Sequence, residues 1–165
     1  MSFQSERLTS AHELTSFRCG NTELDEWLVR FAEHAAAMRT AQTFVWADAS
    51  RVVAYYSLAA HQVLKNALPT AFTRGSPNTI PAVLLCKLAL DETLHQRGLG
   101  EELLVDALER VLAATEQVAA RLVVVDAVDG DAARFYERYG FVLTASEGSR
   151  LVRKVSDIAA DFGMK

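Results

Sequence analysis

An α/β domain with a mixed central sheet flanked by helices is predicted for this chain from three features of its order. A strand, a glycine-bearing loop and a helix follow one another in KLALDETLHQRGLGEELL, and a second strand and helix follow in LVVVDAVDGDAARFYERYG. That alternation calls for a partly parallel sheet. Ahead of it, TFVWAD and RVVAYYSLAA carry the Val, Phe, Trp and Tyr content of strands, and the turn residues around Asp48 to Ser50 make them an antiparallel pair.

The elements are expected in the following order. TELDEWLVRFAEHAAAM, residues 22–38, reads as one helix with Thr22 as cap and Asp25 three positions on, and Leu24, Trp27, Leu28, Phe31 and Ala35 share an apolar face. The strand pair covers residues 43–48 and 51–60. From Lys65 to Pro81, Pro69, Gly75, Pro77 and Pro81 break every period. So long a connection within a compact domain is uncommon, which puts it over an active site or a partner surface. AVLLCKLAL, residues 82–90, is a buried strand. LGEELLVDALERVLAAT, residues 99–115, is a helix with Leu99, Leu103, Leu104, Ala107, Leu108, Val111 and Leu112 in one stripe. LVVVDAV is the next buried strand, and DAARFYERYG a short helix stopped at Gly140. FVLTA and SRLVRKV close the sheet, and DIAADFGMK is a last helical turn or a frayed tail.

With 165 residues, half of them hydrophobic and 23% charged, one domain is expected over residues 1–165, with a core that needs no metal or disulfide. Cys19 and Cys86 form neither a CxxC pair nor a framework, and no secretory segment precedes them, which points to reducing cytosol. No apolar run reaches the length of a membrane span. The net charge of −4 opposes a non-specific nucleic-acid coat but leaves room for a local basic patch. His12, His34, His61 and His95 form no metal-ligand spacing, so no metal site is expected. Ser57, Ser76 and Ser146 lack a GxSxG elbow, and Cys86 in its apolar strand reads as structural. Asp91 and Glu92 read as caps or loop supports.

Two clusters can carry chemistry. In HQRGLG, Gly98 and Gly100 bare the backbone where a strand turns into a helix; the exposed amides, with Arg97, suit a phosphate or pyrophosphate. A tight turn with close packing explains the same glycines. The dinucleotide fingerprint and the GKS/GKT phosphate loop are both missing. In ARFYERYGF, Tyr136 fits either a packed tyrosine with a satisfied hydroxyl or a phenol that gives its proton to a leaving thiolate. Unperturbed pKa values of about 10 and 8.5 make that transfer nearly matched.

KLALD, HQRGLG with its helix, VVVDA and AARFYERYGF together resemble the GCN5-related N-acetyltransferase family, and FRCGNTELDEWL, TFVWAD and VVAYYSLAA resemble its toxin branch. The resemblance runs from Phe17 to Val152. It implies the fold of that family, acetyl-CoA as cofactor, and transfer of acetyl to the α-amine of aminoacyl-tRNA, which blocks translation. It further implies a ribbon-helix-helix antitoxin partner, a homodimer and a cytoplasmic location. By the same resemblance Leu88, Ala89 and Leu90 offer backbone amides to the pantetheine arm and thioester, and Gln96, Arg97, Gly98, Leu99, Gly100 and Glu101 hold the pyrophosphate. Tyr136 becomes the general acid, and Asp126 and Ala127 positioning residues. The chain departs from the family in carrying His95 at the first motif position and Gln96 where glycine is frequent.

No general base is evident. An α-amine with a pKa near 7.7 to 8.0 is substantially neutral at cytosolic pH and can attack directly, with water taking its proton. A tRNA substrate calls for cations near the acetyl group, and Arg18, Arg39, Lys65, Arg74 and Arg150, with Arg153 and Lys154, stand in loops or near element ends. The competing readings are acetylation of a small amine or peptide N-terminus, and an inactive CoA-binding or interaction module.

Overall fold

The computed structural model describes residues 3–144 and 148–163. Ala145 of the expected FVLTA strand, Ser146, and Met164 and Lys165 of the tail lie outside the described residues. The strands are β1 (Glu6–Arg7), β2 (Gln42–Asp48), β3 (Arg51–Leu64), β4 (Thr79–Leu90), β5 (Leu122–Asp126), β6 (Val142–Leu143) and β7 (Arg150–Lys154). The helices are α1 (Thr22–Arg30), α2 (Ala32–Ala37), α3 (Thr70–Thr73), α4 (Leu99–Thr115), α5 (Gly130–Arg138) and α6 (Val155–Asp161). The seven described strands run in the order β1-β2-β3-β4-β5-β7-β6. The sheet is mixed: β4 and β5 are parallel, whereas β1–β2, β2–β3, β5–β7 and β6–β7 are antiparallel. The chain divides into two compact units, Met1–Ala59 with Cys86–Glu109, and Ala60–Leu85 with Arg110–Lys165.

In the first unit, Leu8, Leu14, Phe17, Leu28, Ala32, Val45, Val52, Tyr55 and Ala89 form one core, against which Leu24 and Trp27 pack. The expected helix over residues 22–38 is two helices broken at Phe31. Its cap is Asn21, not Thr22: the Asn21 side chain accepts from the Leu24 amide at 3.2 Å, and the Asp25 carboxylate takes the Cys19 amide. The break turns the apolar face, so Ala32 is buried and Phe31 is 52% exposed. On α4, Asp106 accepts hydrogen bonds from Ser5, Tyr56 and the Trp46 indole, fastening the start of the chain and two strands to the helix.

In the second unit, Val63, Phe72, Ile80, Ala82, Leu122, Val124 and Val152 form the core. The stretch from Lys65 to Pro81 is more regular than its composition suggests. A 3₁₀ turn at Lys65–Ala67 and α3 occupy it, and Thr79–Pro81 already belong to β4. Phe72 goes into the core, and Lys65 and Asn78 close the segment with a backbone hydrogen bond of 2.8 Å. Pro81 is tolerated because the ladder to β5 begins one residue later at Ala82, while its carbonyl accepts from the Arg121 amide. Helix α5 ends at Gly140 with φ +88°, where an added Cβ would lie 2.8 Å from Arg153 Nε. Among the described residues no helix is long and apolar enough to cross a membrane.

Candidate active site

The cofactor-side candidates lie in the first unit, where β4 runs out into a loop. The parallel ladder to β5 is confined to Ala82–Leu85, and β4 continues to Leu90. Leu88 and Leu90 are half-buried and Ala89 is buried. The strand ends at Asp91, a carboxylate 2% exposed that accepts from the amides of Arg18 (2.9 Å) and Thr93 (3.1 Å), the Thr93 hydroxyl (2.7 Å) and the Arg51 guanidinium (3.3 Å). Burial alone would raise its pKa, but these donors outweigh the desolvation and hold it below the ordinary carboxylate value. Asp91 is therefore an ionised support for the strand end, the role the sequence suggests.

Beyond a 3₁₀ turn at Glu92–Leu94, His95 Nε2 lies 2.7 Å from the Leu90 carbonyl. A carbonyl only accepts, so Nε2 carries the proton. Gln96 and Gly98 both adopt the left-handed conformation, with φ +63° and +74°. A Cβ on Gly98 would meet nothing within 4 Å, so the bare backbone faces open space. Helix α4 begins at the next residue, and its first-turn amides have no partner within the helix. Arg97, Gly98 and Glu101 are exposed, and Leu99 and Gly100 are half-buried. This donor set of exposed amides with one guanidinium suits a pyrophosphate. Beside it, Phe3, Leu94, Arg97, Leu99 and Glu102 line a cavity of about 230 Å³. Burial, with Asp25, pushes the Cys19 thiol up to about 12, which removes it as a nucleophile.

In the second unit, Asp129 caps α5 by accepting from the Ala132 amide at 2.8 Å. One face of the helix then carries Tyr136 into the interior, between the edges of Phe135 and Phe141 at 5.3 and 5.6 Å. The chain folds back at once, since the Tyr136 carbonyl accepts from the amides of Tyr139 and Phe141. Burial raises the phenol pKa well above its usual 10, so the hydroxyl keeps its proton. Among the described residues no group hydrogen-bonds that hydroxyl.

The candidate cations separate into distinct settings. In the first unit, Arg18 turns its Nη1 back to the carbonyls of Thr15 and Phe17, and Arg39 is exposed in a turn with φ +60°. In the second, Arg150 is held by Asp126 through two hydrogen bonds of 2.9 Å and donates to His61 Nε2 at 3.1 Å. Burial and that guanidinium lower the His61 pKa, leaving a neutral ring with its proton on Nδ1. Arg153 stands one residue from the end of β7, as expected, but it is buried rather than outside the core, and it pairs with Asp161. Lys65 and Lys154 donate to the carbonyls of Ser76 and Ala71, and Arg74 is exposed nearby in sequence. Sequence reading missed His61 as a partner of Arg150, since 89 positions separate them and no spacing signals the contact.

Residues 39–143 match the family model of the acetyltransferase (GNAT) domain. The chain is 31% identical over 157 residues to the tRNA-acetylating toxin of Mycobacterium tuberculosis (strain ATCC 25618 / H37Rv), covering 95% of both proteins. It is 25% identical over 163 residues to the probable toxin TacT of Sinorhizobium fredii (strain NBRC 101917 / NGR234), covering 92% of this chain and 90% of that one. Among solved structures, AtaT complexed with acetyl-methionyl-tRNAfMet superposes with a TM-score of 0.88 at 25% identity, over 98% of this chain and 99% of the other. The mixed sheet, the strand end with its glycine loop and the near full-length likeness agree, and the chain belongs to the GCN5-related N-acetyltransferase family, in its toxin branch.

Proposed function

We propose that this acetyltransferase moves acetyl from acetyl-CoA to the α-amine of an aminoacyl-tRNA in the cytoplasm, arresting translation until an antitoxin of the ribbon-helix-helix type binds it. A homodimer is part of the proposal. The observation that carries it is the likeness to the tRNA-acetylating toxin over 95% of the chain, joined to a β4 strand whose last five residues run beyond its ladder with β5. Acetyl-CoA, when bound, supplies an acyl group activated as a thioester.

The chain's own residues divide the remaining work. Backbone amides of Leu88, Ala89 and Leu90 orient the acyl carbonyl and draw off its developing negative charge. The loop Gln96 to Glu101 holds the pyrophosphate on exposed amides, with Arg97 adding charge. Tyr136 Oη, kept protonated by burial, gives its proton to the departing sulfur. The new C–N bond forms as the C–S bond breaks, and water takes the proton that the amine loses. An α-amine needs no strong base, since its pKa of about 7.7 to 8.0 leaves much of it neutral. Arg18, Arg39, Lys65, Arg74 and Arg150 are the candidate contacts to the tRNA.

The test is transfer of labelled acetyl to total aminoacylated tRNA, with uncharged tRNA as blank and Tyr136→Phe as catalytic control. Label that leaves with the amino acid on mild base treatment supports the reading. Acetyl-CoA binding with label only on small amines or peptide termini replaces it.

A further inference from the structure

Six cations of the second unit fall into two groups, apart from Arg110 and from Arg134 and Arg138 on α5. Arg150 and Arg153 are neutralised by Asp126 and Asp161. Lys65, Arg74, Arg121 and Lys154 form no ion pair among the described residues. Three of these four reach the same short stretch, residues 71–76, and bind only neutral carbonyls there. Lys154 Nζ donates to Ala71 (3.4 Å), Arg121 Nε to Phe72 (3.0 Å), Arg121 Nη2 to Arg74 (3.1 Å), and Lys65 Nζ to Ser76 (3.2 Å). Arg74 projects its own exposed guanidinium from the middle of the stretch.

A carbonyl fixes the position of a cation without cancelling its charge. Each head also keeps donors in reserve, since a lysine has three and an arginine five. On a chain of net charge −4, three positive groups fixed on carbonyls and the exposed Arg74 beside them, none of them ion-paired, make a local positive field around one turn. They are spread along a line of carbonyls rather than focused on one point, which suits a polymer carrying charge at every unit. We infer that Lys65, Arg74, Arg121 and Lys154 form one docking surface for the phosphate backbone of an RNA. This rests on the tRNA reading above and narrows it. Arg121 joins the contacts, whereas the paired Arg150 and Arg153 are excluded from them.

The test compares Arg74→Gln/Lys154→Gln and Arg121→Lys proteins with the parent, following KM for charged tRNA against salt and KM for acetyl-CoA at one salt. The double variant should raise KM for charged tRNA about tenfold and lower the logarithmic salt slope by about one for each phosphate it no longer neutralises. KM for acetyl-CoA should hold. Arg121→Lys keeps the charge but loses the fork, so it should melt earlier with a nearly unchanged slope. A folded double variant with the parent's KM and slope overturns the surface, as does one that loses affinity only for an acidic peptide. Should the parent transfer nothing to charged tRNA, the functional reading fails. The surface is then judged by the salt slope for binding an uncharged RNA minihelix, parent against double variant.

Discussion

The imidazole of His95 donates its Nε2 proton to the carbonyl oxygen of Leu90 across 2.7 Å. The bond spans the Asp91 support and joins the last residue of β4 to the first residue of the glycine loop, so the strand end and the loop hold their spacing together. A glutamine at position 95 carries an amide donor and can restore the bond; alanine cannot. A neutral hydrogen bond is worth about 0.5–1.5 kcal/mol, or roughly two- to tenfold in an equilibrium. His95→Ala is expected to raise KM for acetyl-CoA by that factor with kcat nearly unchanged, and His95→Gln to restore it. Steady-state kinetics of the three proteins checks this, and equal KM values for alanine and glutamine would deny His95 a positioning role.

The two left-handed positions of the loop predict opposite responses. Gln96 holds φ +63°, a conformation that costs a residue with a Cβ about 1–2 kcal/mol, and glycine there is free of that cost but gives up about 0.5–1 kcal/mol of chain entropy. Gln96→Gly should therefore be neutral to slightly stabilising, by about 0.5 kcal/mol. Gly98→Ala meets no atom within 4 Å, so its cost is conformational: about 1–2 kcal/mol for the left-handed backbone, less the roughly 0.5–1 kcal/mol of chain entropy that alanine returns, a net loss of about 0.5 kcal/mol. Urea midpoints of both variants decide the matter, and acetyl-CoA affinity should fall only in the second.

Tyr136 offers a separation of chemistry from packing. Its ring sits edge-on to Phe135 and Phe141, and phenylalanine preserves both contacts. Tyr136→Phe should lower kcat by about 10²–10⁴ while KM and melting temperature stay close to the parent's. Burial raises the folded phenol's pKa above that of the unfolded chain. The folded state thus retains a proton the unfolded state gives up, and Tyr136 withdraws stability as the pH climbs past about 10. Melting curves between pH 8 and 11 should show a shallower alkaline decline for the phenylalanine variant.

Much of the architecture could be read where periodicity is strong. The apolar stripe from Leu99 to Leu112 belongs to a helix with the expected bounds, and the pair around Asp48 to Ser50 is antiparallel. What escaped depended on contacts that are distant in sequence. Glu6 and Arg7 form a strand only because β2 lies beside them, and β3 runs on through His61 to Leu64 although the apolar pattern fades there. The break at Phe31 has no proline or glycine to announce it. At the site, the glycine loop and Tyr136 stand out by residue type, and Gln96 shows in its positive φ why glycine is favoured at that motif position. Arg150 illustrates the opposite case: its charge is visible in the sequence, but its pairing with Asp126 is not.

Asp91 is the fixed point from which the loop leaves β4. Its donors come from three parts of the chain: the amide of Arg18, the guanidinium of Arg51, and Thr93 through amide and hydroxyl. Asp91→Asn keeps the shape but removes the charge and turns one acceptor into a donor facing existing donors. With several bonds weakened and Arg51 deprived of its partner, the expected loss is about 2–4 kcal/mol. Because the folded carboxyl lies below its ordinary value, the stabilisation is present above the unfolded pKa of about 3.9 and is lost as the pH falls through the folded one. Acid titration of stability should show the parent losing its advantage over Asp91→Asn below about pH 4. A constant difference between the two proteins down to pH 2 would mean that the carboxylate's charge is not what holds the strand end.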